Sequence, residues 1–387
     1  MNTWRLTVFI LVSFFLLTGC ASDRVANNKM GQIVPSSKTT VDLKEWSKQV
    51  TLSAVGDILI HDRVYRDAKG KDGYDFHPML AKVKPFLNDA TITFANQESM
   101  MGGEKIGLSS YPSFNSPIEI GDALKGAGVN IVSMANNHTL DRGEEAIQQA
   151  IKNWKTIGMM YTGAFENKQD QNDLRIYQTD EGISVAFLAY TYGTNGIEVP
   201  NGKDYLVNLI DKDTMAGAIK KAKKQADVTV LSLHFGEEYE RMPNDEQKDL
   251  AQFAADHGVD VVLGHHPHVL QPIEWVKGKH GNKTLVIYSL GNFLSGQDDD
   301  YTRIGGILTF TIKQTMKEAN KKETTVTKPR FMPTYVTFHN ETDYRVVPMH
   351  QLTNKELKHA DKHYQEIKDH MAQWMPELEF VEAEDES

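Results

Sequence analysis

Cysteine is almost absent: the chain of 387 residues has one, Cys20. A single thiol excludes an intramolecular disulfide and any zinc site built on several cysteines, so a metal ion would have to be held by His, Asn and carboxylates. Positive charge is in deficit, with 42 Lys+Arg against 52 Asp+Glu and a net charge of −10. An acidic surface repels a phosphate backbone, which argues against nucleic acid as a partner. The chain also lacks a P-loop, a Rossmann glycine fingerprint and a Gly-x-Ser-x-Gly elbow, so three common catalytic frameworks drop out. What is there is ordinary globular material: 40% hydrophobic residues, 28 Gly and 13 Pro leave no room for a mainly disordered or collagenous chain.

The one sustained apolar run, Leu6 to Leu17, follows Arg5 and stops at Leu17-Thr18-Gly19-Cys20. It falls short of the roughly 20 residues that cross a bilayer, and its flanks fit an export signal. Leu-Thr-Gly-Cys resembles a bacterial lipobox. Residues 1–19 are therefore expected to be a lipoprotein signal peptide, Cys20 the lipidated residue, and polar residues 20–50 a flexible tether holding the protein at the extracytoplasmic face of the cell membrane.

Folding is expected from Thr51. Thr51–Val55, Thr91–Ala95 and Asn130–Ala135 read as buried strands, with helices at Ile118–Ala127 and Glu144–Ile157. A second series follows: strand 184–191, helix 211–225, strand 227–233, helix 245–257 and strand 259–263, then strands near 270–275 and 283–289. Strand-helix alternation implies an α/β fold with parallel sheet. Gly305–Ile312 and Thr324–Phe338 read as antiparallel strands separated by a charged turn region, Lys313–Lys322. The main domain is placed at 51–348, and 349–387 is an amphipathic helix, Thr353–Trp374, followed by an acidic tail. A Thr353-x-x-Glu356 capping box opens that helix, and apolar residues from Leu357 to Trp374 at spacings of three and four give it a self-packing face.

Polar residues fall directly after the predicted strands, where open α/β sheets place ligands. Asp57, Asn96-Gln97-Glu98, Asn136-Asn137-His138, His234 and His265-His266-Pro267-His268 recur in this way. Singly, an Asp after a strand is a turn former and a lone His a satisfied core residue. Together they form a sulfur-free donor set suited to Mn, Fe, Zn or Co, with a bridging carboxylate and donors enough for two ions. Three crowded imidazoles repel one another on protonation, and a metal removes that cost.

The stretches VGD (55–57), FNSP…ALKGAGVNIVSMANNHTLDRG (114–143), LHFGEEY (233–239), GVDVVLGHHPHVLQPIE (258–274) and YSLGNF (288–293) resemble the CapA/PgsA family of poly-γ-glutamate capsule biosynthesis proteins. The resemblance covers about residues 51–296, and that family is in turn similar to calcineurin-like metallophosphoesterases. It implies a metallophosphatase-like four-layer α/β/β/α sandwich and a dinuclear centre of two divalent ions. Asp57 is implied as the first metal carboxylate and Glu98 as the bridge. Asn137 is the implied amide ligand, with His234, His266 and His268 as imidazole ligands and His138 as the catalytic proton donor to a leaving oxygen. Asn136, Asp141, Glu238, His265 and Asn292, in the same motifs, are expected to touch substrate or support the ligands. The sequence departs from the phosphoesterase pattern at Leu59, where a His is usual, so the Asp57/His268 ion has fewer protein ligands; Glu for Asp at 98 lengthens the bridge. The implied roles are poly-γ-glutamate biosynthesis or export, with an anionic polymer and membrane synthase subunits as partners, or metal-dependent hydrolysis of a phosphodiester or γ-glutamyl amide.

Overall fold

The computed structural model describes residues 46–317 and 321–382. The expected signal peptide, Cys20, the tether up to residue 45 and the extreme acidic end lie outside the described residues. Fifteen strands occur in chain order among the described residues: β1 (Trp46–Leu59), β2 (Ile92–Gln97), β3 (Ile131–Ser133), β4 (Met160–Thr162), β5 (Arg175–Gln178), β6 (Ser184–Thr191), β7 (Val228–His234), β8 (Val261–His265), β9 (Leu270–Lys277), β10 (Lys283–Leu290), β11 (Asn292–Ser295), β12 (Ile304–Lys317), β13 (Lys321–His339), β14 (Thr342–Pro348) and β15 (Glu379–Phe380).

They form two sheets. The first runs β14-β13-β12-β1-β2-β3-β4, with β11 beside β1 and β15 beside β13; the second runs β5-β6-β7-β8-β10-β9. Strands β1 to β4 are mutually parallel, as are β6, β7, β8 and β10, while β12 to β14 are antiparallel.

Alternation of side chains along each strand builds the layers. Leu52, Ala54 and Phe94 of the first sheet meet Phe187, Val230, Val261 and Leu263 of the second in a core between the sheets. Their neighbours Val55, Ala95 and Val132 face the other way, against the helices Glu119–Gly126 and Gly143–Thr156. Leu231, Leu233 and Val262 likewise face the helices Lys212–Gln225 and Asp245–Asp256. The result is the expected α/β/β/α sandwich. Strands buried on both faces read as continuous apolar runs, which is why most were legible.

Three expectations change. The first strand begins at Trp46, not Thr51, because Trp46–Val50 pair with Ile312–Met316 of β12; residues 46–50 therefore belong to the fold and not to a tether. The charged segment Lys313–Lys322 is mostly strand, the ladder running on to Lys317↔Lys321. β-Branched Thr311, Ile312, Thr315, Thr324, Thr325 and Val326 favour extended backbone there, and charge alone does not make a turn. The terminal helix spans Ala360–Ala372 because His359, at φ 61°, breaks it from the preceding turn. Glu356 does bond back to the Thr353 amide at 2.8 Å, but Asn354 Oδ1 caps the helix by accepting from the His359 and Ala360 amides. As expected, the apolar residues of this segment pack inward: Leu357 before the helix and Ala360, Ile367 and Met371 on it join the core between the sheets. Among the described residues no helix is long and apolar enough to cross a membrane.

Candidate metal centre

Parallel strands from both sheets end at one place. Asp57 lies in the last turn of extended chain of β1, Glu98 follows β2, Asn136-Asn137-His138 follow β3, His234 ends β7, His265 ends β8 and Asn292 opens β11. Close backbone approach makes this convergence possible. A Cβ on Gly56 would stand 1.9 Å from the Gly291 carbonyl oxygen, and one on Gly264 1.9 Å from that of Tyr288. The turn after β8 holds His266 at φ 100° and His268 at φ 59°, left-handed conformations that cost a residue with a side chain and cluster at functional sites.

The side chains are buried and close. Asp57 Oδ2 is 3.2 Å from His268 Nδ1, and Asp57 Oδ1 is 3.4 Å from His265 Nδ1. Glu98 Oε1 is 3.5 Å from His234 Nε2 and 3.7 Å from His268 Nε2. His234 Nε2–H donates to Asn137 Oδ1 at 2.9 Å. Three sets of side chains each bring one donor atom per residue within 4.8 Å of the others: Asp57, Glu98 and His268; Glu98, His234 and His266; and Glu238, His266 and His268. Five side chains expected as ligands fall in these sets, with Glu98 common to the first two, and the sixth, Asn137, joins them through its bond to His234. His265 stands outside these sets, buried behind Asp57.

The surrounding groups orient this set. Asn292 Oδ1 accepts from His268 Nδ1 at 3.1 Å, which leaves Nε2 facing Glu98, while its own amide donates to Gln297 and to the Thr302 carbonyl. Asn136 accepts from the His138 amide and donates to the Gln97 carbonyl, tying the third strand's turn to the second. Asp141 Oδ2 lies 2.7 Å from His138 Nδ1 and also accepts from the Phe114 amide. That pairing puts a proton on Nδ1 and fixes the ring with Nε2 turned away from Asp141.

Electrostatics point the same way. Burial lifts the Glu98 carboxyl well above its usual range. Burial would also raise Asp57, but His265 and His268 hold it well below. Burial drives His234 well down and His266 to about 3. His268 is the exception: burial opposes its charge, yet Glu98 and Asp57 raise it to about 9. A proton on His268 between two carboxylates is the counter-charge that a cation would replace. Both Glu98 oxygens, Asn96 Oδ1 and His266 Nδ1 are buried without a hydrogen-bond partner. Orphaned buried atoms cost about 1–3 kcal/mol each, and carboxylate, amide and imidazole donors are what a divalent transition ion takes. The residues fit such an ion.

Three residues were not assigned from sequence. Asn96 donates to Asp57 Oδ1 at 2.8 Å and lies 3.3 Å from His234 Nδ1; an amide at the end of an apolar strand was its signal. Asn195 lies within 3.3 Å of both Asn137 and His138, and the Tyr192 ring within 4.7 Å of that of His266. Both sit in a loop without periodicity. Leu59 is buried and offers no donor; His61 is beside Phe114 and belongs to none of the three sets.

Residues 51–297 match the family described as bacterial capsule synthesis protein PGA_cap. The chain belongs to this family. The PGA_cap chain is 28% identical over 277 residues to the capsule biosynthesis protein CapA of Bacillus anthracis, covering 69% of this chain and 65% of that one. It is 28% identical over 284 residues to the PGA biosynthesis protein CapA of Bacillus subtilis, covering 71% of each. Among solved structures, the calcineurin-like phosphoesterase YfkN of Bacillus subtilis aligns at 14% identity and a TM-score of 0.41, covering 83% of this chain and 99% of that one.

Proposed function

We propose that this PGA_cap protein acts in making or exporting a capsule poly-glutamate polymer outside the cell, held at the membrane by a lipid on Cys20, with a dinuclear cation centre as its working part. The family and the CapA relatives support the role. The centre rests on one observation above the others: the buried Glu98 carboxylate faces two imidazoles with neither oxygen hydrogen-bonded. Asp57, Glu98 and His268 would hold one ion, and Glu98, Asn137, His234 and His266 the other. Bound divalent ions would supply Lewis acidity and positive charge. A chain of net charge −10 needs such local cations to receive an acidic polymer. Asn96 and Asn292 keep Asp57 and His268 in register for that task.

The experiment is complementation in a capsule-forming cell lacking this protein, with membrane synthase subunits as the expected partners. Wild type should restore polymer, and Asp57→Asn should not, at equal protein level. Normal polymer from Asp57→Asn would end the reading. Cys20→Ser should release the protein from the membrane fraction.

One observation favours hydrolysis as the chemistry. The 2.7 Å Asp141–His138 pair orients a proton carrier, which a pure binding pocket does not require. With both ring nitrogens protonated and Nδ1–H held by Asp141, His138 would give its Nε2 proton to the leaving group of a phosphodiester or γ-glutamyl amide and return to the neutral ring. In a survey of both substrate classes, Asp141→Asn should keep its metal content and lose roughly 10²–10⁴-fold in rate. A metal-loaded wild type that turns over neither class would remove hydrolysis and leave polymer binding.

A further inference from the structure

We propose that Glu238 is a protein ligand of the cation centre, supplied from an exposed loop beside His266 and His268. The inference rests on the metal reading above. Glu238 offers a carboxylate oxygen within 4.8 Å of donor atoms on both His266 and His268. His266 and His268 belong respectively to the two sets that share Glu98, and Glu238, unlike the other carboxylates of these sets, is exposed, so it would meet the centre from its solvent side. His266 Nδ1, buried and unpartnered, is a second sign that this side of the centre is short of a partner.

The position of Glu238 is built into the backbone. The Phe235 amide donates to the His265 carbonyl at 3.1 Å and the Tyr239 amide to the Pro267 carbonyl at 2.8 Å. The loop carrying Glu238 is thereby stitched at both ends to the turn carrying His266 and His268. Gln271 Nε2 donates to the Glu240 carbonyl at 2.8 Å, and Gln247 in turn donates to Gln271 Oε1. Gly236, at φ 96°, makes the bend, and a Cβ there would meet the Gln247 side chain at 2.6 Å. Tyr239 follows at φ 69°. Two left-handed residues, two bonds to the His265–Pro267 backbone and a third from β9 are more constraint than a free surface carboxylate receives. Neighbouring Glu237 belongs to none of the three sets and serves as the control.

The test is titration of the full-length, metal-stripped protein with Co(II), followed by calorimetry and by the visible absorption of the bound ion, which reports its coordination. Wild type should bind two ions. E238Q should weaken one of them by at least the roughly tenfold that losing even an outer partner of a metal ligand costs, and should change the absorption spectrum. E237Q should do neither. Because Glu238 is exposed, metal-free E238Q should melt with wild type. Unchanged Co(II) affinity and spectrum in E238Q, with wild type binding two ions, would overturn the assignment alone. No Co(II) binding by wild type would overturn the metal reading and this inference with it.

Discussion

Both Glu98 oxygens are buried without a hydrogen bond, and a buried carboxyl in that position is tolerated only if it keeps its proton or something else meets its charge. Its carboxyl is lifted by burial from a solution value near 4.5. A raised carboxyl pKa means that the folded state holds its proton longer. The contribution of this group to metal-free stability is therefore full below pH 4.5 and is lost as the pH rises through the folded value. Glu98→Gln should remove that loss, stabilising the metal-free protein at neutral pH by about 1–3 kcal/mol while abolishing ion binding. Urea unfolding in chelator, set beside metal analysis, measures both. A destabilised metal-free Glu98→Gln would show that the carboxylate has a structural partner. Asp57, Asn137, His138 and the histidines of 265–268 were legible because polar side chains directly after apolar strands have few reasons to be there. Asn195 and Tyr192 were not, since their place in a loop is fixed by contacts with residues far away in the chain.

The strands bring these residues together only where glycine lets backbones approach. Gly264→Ala sets a methyl group against the Tyr288 carbonyl at 1.9 Å and should cost about 1–3 kcal/mol or more in denaturant unfolding. A neutral result would mean that β8 and β10 are free to separate. Near the junction of the two sheets, Asp170 accepts from Arg175 at 2.6 Å, from Tyr161 at 2.9 Å and from the Glu166 amide at 2.9 Å, tying β4 to β5. Burial would raise its carboxyl, but the Glu166 amide and Arg175 bring it below 3.8. Its contribution is present above pH 3.8 and is lost as the pH falls through the lower folded value. Asp170→Asn should cost about 1–3 kcal/mol at pH 7, with the gap to wild type closing in acid. The long, doubly buried strands were readable by their apolar runs. Three-residue β4 and the polar arm Trp46–Val50 were not, because the former is too short for a period and the latter is held by its ladder with β12.

At the scale of the molecule, two sheets, each burying both faces, leave their parallel strand ends open on a single side, and the centre is what closes that side. Ion binding should therefore be felt as stability of the whole described fold. At an ion concentration about 100 times Kd, linkage gives roughly 2.7 kcal/mol per site, visible as a rise in melting temperature that chelator reverses. Strand-helix alternation made the parallel α/β fold legible and the family resemblance implied the four layers, but neither gave the start of the terminal helix, since His359 adopts a left-handed conformation that no local pattern announces. The most direct measurement is elemental analysis of the purified full-length protein, with the melting shift on adding Mn, Fe, Zn or Co. Two divalent ions per chain in wild type, none retained by Glu98→Gln, and a chelator-reversible rise in melting temperature are predicted. A wild-type chain that takes up no ion and melts at the same temperature in all four would contradict the account.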